Sequence, residues 1–380
     1  MPNQPDISIF RGSRPGSSLP IDIGNFRHFT RGRYALGEAY RLAGVNRDGA
    51  LLAPAYHCVT MLDPAMALGA DIVLYPLQPD LSPVLNKLDE LLAAYGKPVK
   101  AFLATHYFGL AKNFSHLKKW CDRHDIVLIE DCSHTLFTEA FQAAGTGIYG
   151  RFVASSPYKF FACEDGGLLY SPDAVLLDTV KTRPAGVVEE LRGIKRVIEK
   201  CRSNGPTASD SELIDARLAE LNVKPLIEGN NRITAYDHPS SLYTAEESGL
   251  SSLMGSRCIV RLSSLTENMK RRRNNYQRWA KAVAELPNCH ALFPELPEYC
   301  FPYMFPLHIK HAKPHFYWLK QLGTPVWRWD EMVISGCPIA QDYRLHLLHL
   351  ACHQSLTDLQ LDWMITVLQK TLRSPWQGVK

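Results

Sequence analysis

A chain of 380 residues is longer than one core usually holds, since single cores rarely grow past about 250 to 300 residues, so two domains are the first expectation. Hydrophobic residues make up 46% and charged residues 21%, ordinary globular usage that excludes a disordered chain. The formal net charge of +4 supplies no basic stripe and argues against nucleic-acid binding.

The first residues are rich in Pro, Gly and Ser, and 1–27 reads as an N-terminal extension. Tyr34 to Val45 carries apolar residues at helical spacing, and a strand-like run from Ala50 to Tyr56 follows. The pattern then alternates: helical Val59 to Leu68, strand Asp71 to Leu77, helix Leu85 to Tyr95, strand Val99 to Thr105, helix Phe114 to His124, strand Ile126 to Ile129. Strands alternating with helices of this length predict parallel βαβ units, hence an α/β sheet covered on both faces. Ligands of such sheets sit at the carboxyl ends of the strands.

From 203 to 241 turn-forming clusters surround one helical piece, Leu213 to Leu221, which reads as an insertion or mobile segment. Ser248 to Leu286 predicts one or two long helices, Tyr303 to Ile309 a strand, and Leu356 to Leu372 a final helix. The expected division is a large α/β domain over 28–245 and a small C-terminal α+β domain over 246–380, entered by a long linking helix.

Ten cysteines lie without a CxxC pair or regular spacing, which fits neither a disulfide framework nor a zinc site. The start of the chain has no apolar signal core, and no window approaches the roughly 18 consecutive apolar residues of a membrane helix. A soluble cytoplasmic protein without a membrane partner is expected. The fourteen histidines form no pair with Cys or carboxylates at ligand spacing, so His106, His116, His349 and His353 read as satisfied structural residues and no metal is expected.

Two segments carry chemistry. In Ile126-Val127-Leu128-Ile129-Glu130-Asp131-Cys132-Ser133-His134 an apolar strand runs into two carboxylates and a histidine. Carboxylates there point into the functional crevice, although an Asp in such a place also commonly caps the next helix. In Ser155-Ser156-Pro157-Tyr158-Lys159-Phe160-Phe161 a lysine stands between aromatic residues. A lysine on an apolar element often just snorkels to solvent. If it is desolvated, its ammonium pKa falls toward that of a nucleophilic amine able to form a Schiff base. The cofactor that needs both a lysine and a carboxylate is pyridoxal 5'-phosphate, with Lys on its aldehyde and Asp against its pyridine nitrogen. Its phosphate needs donors. Gly32 and Arg33 at a helix start offer backbone N–H groups, and Ser156 a hydroxyl.

These segments, in the order Gly32-Arg33-Tyr34-Ala35-Leu36, Ala53-Pro54-Ala55-Tyr56-His57-Cys58, Thr105-His106-Tyr107-Phe108-Gly109, Ile129 to His134, Ser156-Pro157-Tyr158-Lys159 and Asp165-Gly166-Gly167, resemble the DegT/StrS family of sugar aminotransferases. The likeness runs more loosely through Arg272-Arg273-Asn274-Asn275-Tyr276 to Leu350-Ala351-Cys352-His353-Gln354. The resemblance implies the aspartate-aminotransferase fold (fold type I), a large mostly parallel sheet with helices on both faces plus a small C-terminal α+β domain. It makes Lys159 the Schiff-base lysine, Asp131 the partner of the pyridine nitrogen, His134 a residue near the ring, and Gly32, Arg33 and Ser156 the phosphate contacts. It also implies a homodimer with shared active sites, for which the Ser251 to Arg257 segment is the candidate contribution.

Three positions depart from the family. Arg33 replaces the usual Thr, Cys58 stands where many members stack an aromatic on the ring, which would pass that task to Tyr56 or His57, and 203–241 matches nothing. The resemblance implies transfer of an amino group, from glutamate as donor, to a keto-sugar, most often nucleotide-linked, by way of pyridoxamine 5'-phosphate. Lys159 would relay the proton in both half-reactions. The Lys270-Arg271-Arg272-Arg273 run could face a diphosphate, or be a solvated helix face. Trp327 and Trp329 could stack a base or sugar, or be packing residues.

Other readings have specific requirements. A dehydratase of this family has His at the lysine position, against Lys159. A pyridoxal enzyme acting on a non-sugar substrate stays open. A non-catalytic regulator would carry a DNA-binding appendage or a damaged site. A nucleotide-dependent oxidoreductase would need a glycine fingerprint where Pro54-Ala55-Tyr56-His57 stands.

Overall fold

The structure, a computed structural model, describes residues 26–135, 142, 145–202, 211–222, 238–298 and 300–374. The expected N-terminal extension lies outside these residues except for 26 and 27.

Seven strands build the larger sheet among the described residues: β1 (Phe26–Phe29), β2 (Ala50–Pro54), β3 (Ile72–Tyr75), β4 (Val99–Thr105), β5 (Val127–Cys132), β6 (Phe152–Ser155) and β7 (Gly167–Tyr170), in the spatial order β1-β7-β6-β5-β4-β2-β3. From β3 to β6 every pairing is parallel, and β7 runs antiparallel to β6 and β1. The mostly parallel α/β expectation holds.

Alternation along the strands explains why helices are needed on both faces. Leu51, Ala101, Leu103, Ile129 and Ala154 turn to one side, where α1 (Gly32–Leu42) and α2 (Asp63–Ala67) bury Tyr34, Leu36, Ala39 and Ala65. Leu52, Phe102, Ala104 and Leu128 turn to the other, under Leu88 of α3 (Leu88–Tyr95) and Leu117 and Trp120 of α4 (Ser115–Arg123). The helix expected over Val59 to Leu68 is broken into a 3₁₀ turn, Val59–Met61, and the short α2, because Pro64 starts a new helix rather than continuing one. Strand β5 runs through Cys132, three residues past its expected end, so both acidic residues belong to the strand itself.

After α5 (Ala174–Asp178), α6 (Val187–Arg202) and α7 (Ser211–Asn222), the chain enters α8 (Met254–Leu262) and α9 (Leu265–Val283). A second, antiparallel sheet follows, ordered β10-β11-β9-β8 from β8 (Cys289–Ala291), β9 (Met304–Ile309), β10 (Val326–Trp327) and β11 (Leu347–Ala351). It is packed by α10 (Ala312–Gln321), α11 (Pro338–His346) and α12 (Asp358–Arg373) around Trp279, Phe305, Leu319, Leu361 and Leu368. Of the 203–241 segment, α7 puts Ile214, Leu218 and Leu221 into this same core, while 203–210 and 223–237 lie outside the described residues. No helix among the described residues is long and apolar enough to cross a membrane.

Candidate active site

A cavity of about 460 Å³ opens at the carboxyl ends of the parallel strands, where a sheet of this type receives its ligand. One wall comes from the large sheet: Thr105, Asp131, Ser133, His134, Ser156 and Lys159, with Arg31, Gly32 and Arg33 at the start of α1 and Cys58 after β2. The other wall is C-terminal: Tyr303, Met304, Trp327, Trp329 and His349.

The two acidic residues closing β5 separate because neighbours on a strand face opposite ways. Asp131 lines the cavity. Its Oδ1 accepts the Ser133 N–H at 2.8 Å, so it also closes the turn after the strand. Glu130 faces the opposite side, fully buried. It accepts N–H groups from Gly147 at 2.9 Å, Tyr149 at 2.6 Å and Gly150 at 2.6 Å, and pairs with His106 Nε2 at 2.8 Å. The expectation that both carboxylates enter the crevice therefore holds for Asp131 alone, and Glu130 fastens the 147–150 loop.

Lys159 ends a 3₁₀ turn, Pro157–Lys159, directly after β6. Its N–H bonds back to the Ser156 carbonyl at 3.0 Å, and its Nζ lies 5.3 Å from the Tyr303 ring centre. The expectation that desolvation leaves this ammonium below its usual pKa is overturned. Burial, the largest influence, does pull it down, but Tyr303, Tyr158, Asp131 and Cys58 together hold it above the ordinary value.

The start of α1 forms a polar cradle. No side chain of its N-cap residue, Arg31, bonds the first turn, and Ser156 Oγ donates to Ser133 Oγ at 3.2 Å beside it. Gly32 is required by this approach: a Cβ there would meet Ser156 Oγ at 1.9 Å and Ser133 Oγ at 3.2 Å. The positive end of a helix, two hydroxyls and a missing Cβ are a set that a phosphate takes. Arg33 lines the cavity, but its guanidinium donates to the Leu242 carbonyl, which leaves its backbone as the group facing the cradle. Arg31, the other arginine of this helix start, donates Nη1 to the Glu164 carbonyl at 2.6 Å and lies over the Tyr158 ring at 4.8 Å.

His134 stacks on Tyr303, with ring centres 4.5 Å apart and planes at 27°. Burial first, and then the nearby Lys159 and His349, push its pKa well below the ordinary value, so it is neutral. Its Nδ1 is buried without a hydrogen-bond partner among the described residues, a donor or acceptor held in reserve beside the cavity. Of the three residues weighed for ring stacking, only Cys58 reaches the cavity. Tyr56 is fully buried behind the wall, its hydroxyl 2.8 Å from His349 Nε2 and its ring 4.8 Å from that of Trp329. His57 is buried as well and is not among the lining residues.

Ser133, Tyr158 and Thr105 stood inside the quoted motifs and were not singled out. Tyr303, the residue before β9, and His349 of β11 carry no local signal; Trp327 and Trp329 stood out only as a tryptophan-rich stretch. His349 is a cavity residue rather than a purely structural one, its pKa lowered by burial to about 3. His106 is satisfied by Glu130 and by the Lys112 N–H. His353 is not: both ring nitrogens are buried without a partner among the described residues. Outside the cavity, ligand atoms of His308, Asp342 and His346 come within 4.8 Å of one another; Asp342 and His346 are four apart on α11, and the fold adds His308 from β9. The Ser251 to Arg257 segment packs onto its own chain's Asp165 turn: Leu253 N–H bonds the Asp165 carboxylate at 3.0 Å, and Arg257 Nε donates to Ser252 Oγ at 3.2 Å.

Residues 28–201 match the model of the DegT/DnrJ/EryC1/StrS aminotransferase family. Over those residues the chain is similar to that family. Among curated members, GDP-perosamine synthase of Vibrio cholerae is 25% identical over 169 residues, 42% of this chain and 43% of that protein. The L-glutamine:2-deoxy-scyllo-inosose aminotransferase of Streptomyces kanamyceticus is 26% identical over 255 residues, 57% of this chain and 58% of that protein. The chain thus spans about half the length of the curated relatives it matches. A solved Helicobacter pylori aminotransferase, involved in the biosynthesis of pseudoaminic acid, has a similar fold: TM-score 0.64 at 15% identity, over 93% of this chain and 88% of that one. The fold type I expectation holds, and the family motifs fall on the cavity at Gly32, Asp131, Ser156 and Lys159.

Proposed function

We propose that the protein is a pyridoxal 5'-phosphate-dependent aminotransferase that moves an amino group from L-glutamate to the ketone of a sugar, carried on a nucleotide. The observation that carries this reading is the convergence of Lys159, Asp131 and the Gly32–Ser133–Ser156 cradle on one cavity. When bound, the cofactor supplies a carbonyl for a lysine amine and an electron-accepting ring. Lys159 Nζ would hold that carbonyl carbon and, once released, would take the proton from the amine-bearing carbon of the donor and return one to the ketone carbon of the acceptor. Asp131 holds a positive charge opposite it, at the strand end. Ser133, Ser156 and the start of α1 would hold its phosphate, and neutral His134 would lie near its ring. The wall of Tyr303, Trp327 and Trp329 excludes water and offers flat apolar faces to a sugar ring.

A free cyclic polyol ketone is the second reading, favoured by the Streptomyces relative, whose name gives an inosose as its substrate. A homodimer is part of the proposal, as is a soluble, cytoplasmic setting.

The deciding experiment is the visible absorption spectrum of the purified protein before and after excess L-glutamate, with Lys159→Ala alongside. The parent is expected to show a cofactor band that moves to the pyridoxamine form with glutamate, and the variant to lack that band as such. A band indifferent to glutamate points to another donor. No band after adding cofactor removes the proposal altogether.

A further inference from the structure

The short turn that carries Lys159 satisfies its own N–H groups and leaves its carbonyls to others. Lys159 N–H bonds the Ser156 carbonyl, and Phe160 and Phe161 N–H both bond that of Pro157. The Lys159 and Phe160 carbonyls then need donors, since buried backbone oxygens are seldom left unpaired. Both receive them from C-terminal residues. Arg272 of α9 donates Nη2 to the Lys159 carbonyl at 3.2 Å, and Gln354 donates Nε2 to that of Phe160 at 2.6 Å. Arg272 Nε donates to Gln354 Oε1 at 2.6 Å, which joins the two into one unit. Arg272 Nη1 also bonds the carbonyls of Pro302 at 3.0 Å and Tyr303 at 3.3 Å, so the same guanidinium holds the aromatic residue facing the lysine amine. One turn along α9, Asn275 Nδ2 bonds the His353 carbonyl at 3.0 Å and fixes the loop that carries Gln354.

Arg272 is fully buried. Burial, the largest influence, pulls its pKa down to about 10, with Cys352 and Tyr303 acting the other way, so it is charged at neutral pH. A buried cation is costly to keep. A rigid fork that serves four acceptors at once is the one thing an apolar replacement, or lysine, would not supply.

We propose that Arg272 and Gln354 are positioning residues: together they clamp the Lys159–Phe160 backbone and the Tyr303 backbone, and so hold the lysine amine against Asp131 and Tyr303. The inference rests on the reading of Lys159 as the cofactor lysine.

The test uses the cofactor-free full chain, its Lys159 methylated with formaldehyde and cyanoborohydride and quantified by peptide mass mapping across pH 7 to 9.5. Only the neutral amine reacts, and in the parent it is scarce because its pKa is held up. In Gln354→Met and Arg272→Lys the amine loses its fixed place in the cavity and opens to the reagent, which speeds the reaction by about threefold or more at pH 8. Val367→Ala, a cavity in the C-terminal core, controls for lost stability and is expected to leave the Lys159 rate at the parent value. Folded variants that react at the parent rate, or a control that reacts as fast as they do, overturn the proposal. Should Arg272→Lys fail to fold, Gln354→Met alone decides. Absorbance with added pyridoxal 5'-phosphate separates the two readings: a faster Lys159 rate in the variants, with a parent that takes up no cofactor, keeps the clamp and removes the function.

Discussion

Glu130 and Asp131 are adjacent carboxylates with opposite tasks, and the strand's two-residue period assigns them. Glu130 accepts three backbone N–H groups and His106 in a site closed to water. Glu130→Ala leaves those donors orphaned and is expected to cost roughly 3–5 kcal/mol. Asp131→Asn keeps an oxygen for the Ser133 N–H and is expected to cost under about 1 kcal/mol while abolishing the glutamate-dependent spectral change. Chemical denaturation of both variants checks this; equal losses would mean that the two carboxylates share one structural role. At this scale the sequence was informative about residue type and silent about direction. The SSPYK stretch marked its lysine, but the sign of the shift in that lysine's pKa depended on Tyr303, far along the chain.

At the scale of elements, the parallel strands were legible because β2, β4 and β5 are buried on both faces and read as apolar runs between turn signals. Strands β6, β7 and β1 were not read: each has only four residues and, unlike the equally short β3, none stands between two predicted helices. The helix α6 was passed over although its apolar spacing is helical. The cradle belongs to this scale, since it needs a helix start to meet the turn after β6. Gly32→Ala places a methyl group onto Ser156 Oγ and is expected to cost about 1–3 kcal/mol, with weaker retention of cofactor. Adding Ser156→Ala removes the closest contact and is expected to recover part of that stability without recovering retention, because a donor is lost. Stability left at the single-variant level in the double variant would show that the strain lies elsewhere.

Across the whole molecule, the cavity exists because the second sheet closes over the first. Their junction is tight at Gly109, whose φ is +93° and where a Cβ would lie 2.2 Å from the Phe301 carbonyl oxygen. Beside it the Tyr303 N–H bonds the Phe108 carbonyl at 3.0 Å, and Cys300 Sγ donates to the Gly109 carbonyl at 3.1 Å. Gly109→Ala combines backbone strain with a clash between the sheets and is expected to lose about 2–5 kcal/mol in denaturant unfolding. A loss within half of about 1 kcal/mol would mean that the junction is soft.

By itself the sequence determined the α/β class and picked out Lys159, Asp131, Gly32 and Ser156 as candidate site residues, because each stands within a few positions of a strand end or helix start. Only the tertiary structure decided which carboxylate enters the cavity, that Tyr56 and His57 lie behind its wall, and that Tyr303, Trp327, Trp329 and His349 complete it. Those outcomes depend on strand direction and on the closing of one sheet over another, contacts between residues far apart in the chain that no local pattern encodes.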